Sequence, residues 1–418
     1  MFKKFQPIAA SLAPNYSLKD VLTASSFLFL PWKWMELQKG KNPQKLEEKI
    51  QNFLNCECAI SFDSGRSGLY KILKCLDIKG GDEIILQAFT TVALSNVVTW
   101  CGAKPVFVDI EKDTYNIDPK KIEEKITKKT KVILIQHTFG NPARMDEIVE
   151  IAKRHNLYLI EDCAHSLGAE YKGKKTGTFG DAAFFSFGRD KVVSSVAGGM
   201  VVTNNKKLGE KIKEERRKRK YPKKLFIIRQ LLQPIITYKA FYTYYFFNLG
   251  KIIMYVSGKL NLTPRAYSKE EKHNQQPPNF PAKMPNALAK IALGQFELLD
   301  RFNNHRIGVA KLYRDKFKNS KEISIPKSEA DVKNIYLWYT VLVENKKEFI
   351  EKAKRNHIIL GDWFPKAIGP AGIDLEKAGY KKGSCPIAEE VSSRCVNLPT
   401  HYRMGIEEIE KIVKITEI

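Results

Sequence analysis

The sequence has no C-x-x-C pair, and its cysteines are odd in number: Cys56, Cys58, Cys75, Cys101, Cys163, Cys385 and Cys395. That argues against a zinc cluster or a disulfide framework and for a reduced, cytoplasmic chain with no metal. No run of about 18 uncharged apolar residues occurs, so a spanning helix is not expected. Residues 1–14 hold Lys3 and Lys4 but only a short apolar run, so a cleaved signal peptide is not expected either. There are no internal repeats and no low-complexity tract. Acidic residues are scarce: 46 Asp and Glu against 70 Lys and Arg leave +24. Such an excess attracts nucleic acid, anionic lipid or phosphorylated small molecules. No nucleic-acid module is recognisable, and much of the charge sits on scattered lysines, so nucleic acid is not expected as a partner. Hydrophobic residues at 43% exclude wholesale disorder, and 418 residues admit two or three domains or one large α/β unit.

What is present first is alternation. β-rich runs fall at 58–62, 83–88, 105–110, 132–137, 158–162, 182–187 and 199–203. Helix-like stretches at 67–76, 92–102, 119–126 and 145–155 separate the first five. This predicts an α/β fold with a mostly parallel seven-stranded sheet, helices on both faces and nearly continuous apolar strands. Around it the chain divides into an N-terminal segment (1–45), a large α/β domain (46–205), a basic and aromatic insert (206–267), and a connector with a small C-terminal α+β domain (268–418). The last part is expected to hold one long amphipathic helix (287–317), a strand at 337–343, and helices at 347–357 and 405–415. Ligands of such sheets bind beyond the carboxyl ends of the strands.

Three strand ends carry chemistry. The first runs into Asp63-Ser64-Gly65-Arg66-Ser67-Gly68, a small turn opening a helix. Its free backbone amides and helix dipole suit a phosphate, although it is neither a Walker loop nor a dinucleotide fingerprint. The fifth ends in Glu161-Asp162-Cys163-Ala164-His165. An acid at the edge of a buried strand needs a cation, which a protonated cofactor ring nitrogen or an internal Lys or Arg can provide. His165 is placed to contact the same ring. The sixth runs into Ser186-Phe187-Gly188-Arg189-Asp190-Lys191. Ser186 offers a hydroxyl to a phosphate, and a partly desolvated Lys191 becomes a nucleophilic amine. Together these are the protein-side needs of pyridoxal 5'-phosphate.

The order of these elements resembles the DegT/StrS family of sugar aminotransferases, fold-type I pyridoxal phosphate enzymes. The resemblance spans about residues 45–205 and 284–415. It is strongest over 161–203, with further matches at 103–119 and 386–401. It implies that Lys191 carries the cofactor covalently and moves the proton, and that Asp162 keeps the ring nitrogen protonated. It further implies that His165 contacts the ring. Ser64, Ser186 and the backbone of Gly65 and Arg66 then take the phosphate. The implied activity moves an amino group, from glutamate, onto a keto group of a nucleotide-linked sugar for surface glycan synthesis, in a homodimer. Relatives with His in place of the lysine dehydrate sugars, so Lys191 favours transamination. Three departures stand out. S-G-R replaces S-G-T, so Arg66 is expected to supply charge. Thr91 follows Thr90 where an aromatic often stacks on the ring. Residues 279–284, NFPAKM, lack the Asn of a segment that reaches across the dimer in the family. These departures motivate an alternative, a catalytically altered cofactor-binding or regulatory member of the same fold.

One region lies outside the family pattern. Residues 211–224 hold nine basic and two acidic residues, +7 in fourteen positions, and lead into apolar and aromatic runs broken by Arg229, Lys239 and Lys251. Such a segment suits a helix or hairpin in a headgroup layer, with 28–34, LFLPWKW, adding to it. The expectation is a peripheral contact through 211–260 at the inner face of a membrane, suited to a lipid-linked sugar. Packing of the insert on its own domain or on a dimer partner is the alternative.

Overall fold

A computed structural model describes residues 5–12, 15–265, 267–327 and 329–415. Seven strands form the central sheet: β1 (Cys58–Phe62), β2 (Glu83–Gln87), β3 (Lys104–Val108), β4 (Thr130–Gln136), β5 (Tyr158–Asp162), β6 (Ala182–Ser186) and β7 (Gly199–Thr203). Their spatial order is β1-β7-β6-β5-β4-β2-β3. All neighbours are parallel except β7, which runs antiparallel to both β6 and β1. Each predicted strand is present within about two residues of its expected ends.

The period-two pattern explains the layering. Ile84, Leu86, Leu134 and Ile160 point into one apolar cluster, while Ile85, Ile133, Ile135 and Leu159 point into another. The first is covered by α2 (Asn42–Leu54), α3 (Gly65–Cys75) and α4 (Val92–Trp100). The second is covered by α5 (Pro119–Glu123) and α6 (Met145–Arg154). Ser64 caps α3 by accepting from the Ser67 N–H at 3.2 Å, and Thr91 caps α4.

After β7 come α7 (Lys206–Arg217), then α8 (Lys224–Tyr242) and α9 (Leu249–Lys259), a helical hairpin formed by the insert. The inner side of α8 packs Ile227 and Leu231 against Ala24 and Phe27 of α1 (Leu18–Phe29) and Leu288 and Ile291 of α10 (Asn286–Phe296). The single long helix expected over 287–317 is two helices, α10 and α11 (Leu299–Phe317), broken at Leu298. They serve different layers: α10 is buried almost throughout, whereas α11 buries one side only. A three-stranded antiparallel sheet, β8 (Ile323–Ser324), β9 (Tyr339–Val343) and β10 (Cys395–Leu398), completes the C-terminal part with α12 (Lys346–Arg355), α13 (Pro386–Arg394) and α14 (Ile406–Lys414). No helix among the described residues is long and apolar enough to cross a membrane.

Candidate active site

The carboxyl ends of β1, β5 and β6 bring the expected residues to one edge. Asp162 ends β5 between Gln136 of β4 and Phe184 of β6 and is only 3% exposed. Its Oδ1 accepts from the Ala164 N–H at 2.9 Å. Burial pushes its carboxyl up to about 6, against the pull of that N–H, Lys191 and His137. No ion pair among the described residues reaches it. Its one lysine neighbour in charge is Lys191, which acts on it across the site without closing to an ion pair.

The neighbouring Glu161 is different. Its Oε2 accepts from His137 Nε2 at 3.0 Å and the Gly177 N–H at 2.7 Å. Its Oε1 accepts from the N–H groups of Phe179 and Gly180 at 2.7 and 2.9 Å. Burial would raise this carboxyl, but His137 and the backbone donors outweigh it and hold it below its ordinary value. His137 Nδ1 in turn accepts from the Ala143 N–H at 3.1 Å, which fixes the tautomer. The His137–Glu161–Cys163 group is close enough to suggest a metal, but the carboxylate is saturated with N–H donors and acts as a loop anchor.

Lys191 lies on the loop joining β6 to β7. The loop is closed at its base by the Phe187 N–H on Gly198 O at 2.8 Å and the Ser195 N–H on Phe187 O at 3.0 Å. Burial lowers the Lys191 ammonium to about 8, although Asp162 and Asp190 pull it back up. Its Nζ sits 5.9 Å from the centre of the Trp363 ring. A Cβ added at Gly188 would lie 3.5 Å from Ser186 Oγ and 3.6 Å from Lys191 Cγ, so these two side chains converge. In the same loop Val196 sits at φ 71, a left-handed conformation that is costly for a β-branched residue.

The turn after β1 meets Ser186. A Cβ on Gly65 would lie 3.3 Å from Ser186 Cβ. A Cβ on Gly199 would lie 2.3 Å from Gly65 N, so glycine at 199 is what lets the start of α3 nest against β7. The Gly65 and Arg66 N–H groups are in the first turn of α3, where helix geometry supplies no acceptor. The Ser64 hydroxyl is already committed as the cap. The Arg66 side chain, expected to add charge for a phosphate, is instead paired with Glu271. That correction follows from the connector 268–285, which is no passive linker. It buries Glu271, and its Ala282 carbonyl accepts from the Asp63 N–H at 3.1 Å. The departing 279–284 stretch thus touches the turn of its own chain, behind Asp63.

His165 is buried and stacks on Phe139 (5.7 Å, 17°), edge-on to Trp338. Its Nδ1 accepts from the Phe139 N–H at 3.4 Å. Burial, helped by Lys191, drives its basicity well below that of an ordinary histidine, so it stays neutral. Thr91, standing where an aromatic was expected, meets the Tyr267 hydroxyl at 2.5 Å.

Three neighbours of the site were not legible in the sequence. Asn15 donates from Nδ2 to the carbonyls of Lys191 (2.7 Å) and Val192 (3.1 Å), and its Oδ1 accepts from the buried Arg306 at 3.0 Å. Trp363 and Tyr267 arrive from distant segments. None carries a local motif, and only the sequence separation closed by the fold brings them in.

A sheet in this order, with a buried acid ending β5 that faces a desolvated lysine after β6, defines a fold-type I aminotransferase. The chain belongs to the DegT/DnrJ/EryC1/StrS aminotransferase family, whose model matches residues 30–417. It is 30% identical to the GDP-perosamine synthase of Escherichia coli O157:H7 over 373 residues, 89% of this chain and 88% of that one. It is 28% identical to the dTDP-3-amino-3,6-dideoxy-alpha-D-galactopyranose transaminase of Aneurinibacillus thermoaerophilus over 376 residues, 90% and 89% of the two chains. Its fold superposes on Helicobacter pylori PseC, an aminotransferase of pseudoaminic acid biosynthesis, with a TM-score of 0.76 at 22% identity, covering 99% and 98% of the two chains.

Proposed function

We propose that this chain is a pyridoxal 5'-phosphate-dependent aminotransferase that moves an amino group, from glutamate, onto a keto group of a nucleotide-linked sugar for a surface polysaccharide. The observation that carries the reading is Asp162, a buried carboxylate at the ligand edge of the sheet that makes no close ion pair among the described residues and faces the buried Lys191 across the site. The Gly65–Gly199 cradle and Ser186 fit the phosphate end of the same group. When bound, the cofactor supplies an electrophilic carbon and a ring that accepts electrons. Asp162 holds the proton on the ring nitrogen and so keeps that ring an acceptor. Lys191 Nζ holds the cofactor and, once freed, carries the proton to and from the substrate carbon; its lowered affinity for a proton suits both tasks near neutrality. The N–H groups of Gly65 and Arg66 and the Ser186 hydroxyl bind phosphate oxygens. Neutral His165, locked by Phe139, gives the ring pocket a rigid wall. The relatives named above act on GDP- and dTDP-linked sugars, which supports that substrate class. The same reading includes a homodimer at work in the cytoplasm.

The test is incubation of the purified protein with pyridoxal phosphate, glutamate and a panel of nucleotide keto-sugars. An amino sugar product is expected, and borohydride reduction of loaded protein should leave the adduct on Lys191 alone. An adduct elsewhere, or no cofactor uptake by folded protein, refutes the assignment.

A further inference from the structure

Helix α9 is built inside out for a helix facing water. Its two buried residues, Gly250 and Ser257, are small. Gly250 is buried so tightly that a Cβ would lie 2.1 Å from the Ala240 carbonyl oxygen of α8, and Ser257 is buried with its hydroxyl on Met254 O at 3.0 Å. Its apolar residues recur at Leu249, Ile252, Val256 and Leu260, the spacing of one helix face. That face points outward: Ile252 is 53% exposed, Leu260 61%, and the adjacent Tyr255 70%. An ordinary surface helix turns this stripe inward, and an exposed patch of such residues marks a contact surface. The helix that packs along α8 also leaves apolar residues outside: α1 buries Ala24 and Phe27 but exposes Leu22 and Phe29, and Trp32 and Met35 just beyond it are exposed as well.

The charge around this face has one sign. From 221 to 265 the chain holds seven Lys and Arg and no Asp or Glu. Among the described residues none of these seven cations forms an ion pair. Lys251, Lys259 and Arg265 are all exposed on or beside α9.

We infer that the α8–α9 hairpin seats the protein on an anionic lipid surface. The α9 stripe lies at the acyl boundary, and Lys259 and Arg265 reach the headgroup phosphates. Tyr255 suits that depth, with an apolar ring and a wet hydroxyl. The helices rest on the bilayer and do not cross it: α8 carries Arg229 and Lys239 and α9 has 11 residues. Charge decides between lipid and a second copy of the chain. A two-fold contact through this face would bring together two copies of a stretch that holds cations and no carboxylate, whereas anionic headgroups compensate all of them. The inference does not rest on the amino-transfer reading, because binding is read without substrate or cofactor turnover.

The experiment is co-sedimentation of the full chain with phosphatidylcholine vesicles, with and without phosphatidylglycerol. Pelleting is expected only with phosphatidylglycerol, and it should weaken as sodium chloride is raised. The double variant Ile252→Gln, Leu260→Gln should lose about tenfold in partitioning. Lys259→Gln with Arg265→Gln should lose about tenfold or more. Both variants should keep the parent's size in light scattering. The inference is overturned if the full chain stays in the supernatant with phosphatidylglycerol vesicles at low salt, or if neither double variant weakens pelleting. It is also overturned if Ile252→Gln, Leu260→Gln breaks an oligomer into monomers, which would make a second copy the occupant.

Discussion

Replacing Asp162 by Asn separates the cost of this residue from its use. The Asn keeps an oxygen for the Ala164 N–H and removes only the charge. Burial raises the Asp162 carboxyl from 3.8 to about 6. A raised carboxyl gains nothing from ionising, so its penalty is absent below the unfolded value and complete above the folded one. The shift corresponds to about 3 kcal/mol at pH above 6 in the cofactor-free protein. Cofactor-free Asp162→Asn should therefore be more stable than the parent by about 3 kcal/mol near pH 8, or about 3 °C for a chain of this length. Near pH 4 the two should melt together. With the cofactor bound the order of merit reverses. The carboxylate then makes a charge-assisted bond of about 1.5–3 kcal/mol, so Asp162→Asn should slow the glutamate half-reaction about 10- to 100-fold or more. Calorimetry of cofactor-free protein across pH, and stopped-flow absorbance of loaded protein mixed with glutamate, read the two effects. A variant less stable than the parent near pH 8, or one that transfers at the parental rate, would refute the reasoning.

Other expectations follow from the same geometry. Cofactor capture needs the neutral amine, so its rate should climb with pH and level off above about 8, not near the 10.5 of an ordinary lysine; absorbance-monitored uptake checks this. Lys191→Ala should keep the fold by circular dichroism, lose the borohydride-stable adduct and show no turnover. Gly199→Ala places a methyl on the Gly65 amide, so pyridoxal phosphate affinity in titration should fall more than about tenfold, with a stability loss of about 1–3 kcal/mol. Asn15→Leu leaves the buried Arg306 short of an acceptor and frees the Lys191 carbonyl; denaturant unfolding should show a loss of about 3 kcal/mol, and Asn15→Asp should recover part of it.

Much of the site was legible because its signals are local. Strands covered on both faces must be apolar throughout, so β1 to β7 stand out of the sequence as seven short runs. Asp162 and Ser186, which end such strands, and Lys191 in the loop after Ser186 are placed at the ligand edge by their position, while the resemblance to the family suggested their roles. The boundary inside 287–317 was not legible, since both halves are helical and only burial against different layers separates α10 from α11. The fate of Arg66 was not legible either. Its charge looked free because its partner, Glu271, is 205 positions away in a stretch that reads as a linker.

The insert shows the same division most sharply. Its composition announced a basic, aromatic and apolar segment, and its periodicity is that of helices. Which way those helices turn is a tertiary matter. The close approach at Gly250 rotates α9 so that its small side meets α8 and its apolar stripe is left outside. Local sequence determined what each segment is, because backbone propensity and burial period act over a few residues. The tertiary structure decided what each charged or apolar side chain meets, because those partners are supplied by residues far along the chain.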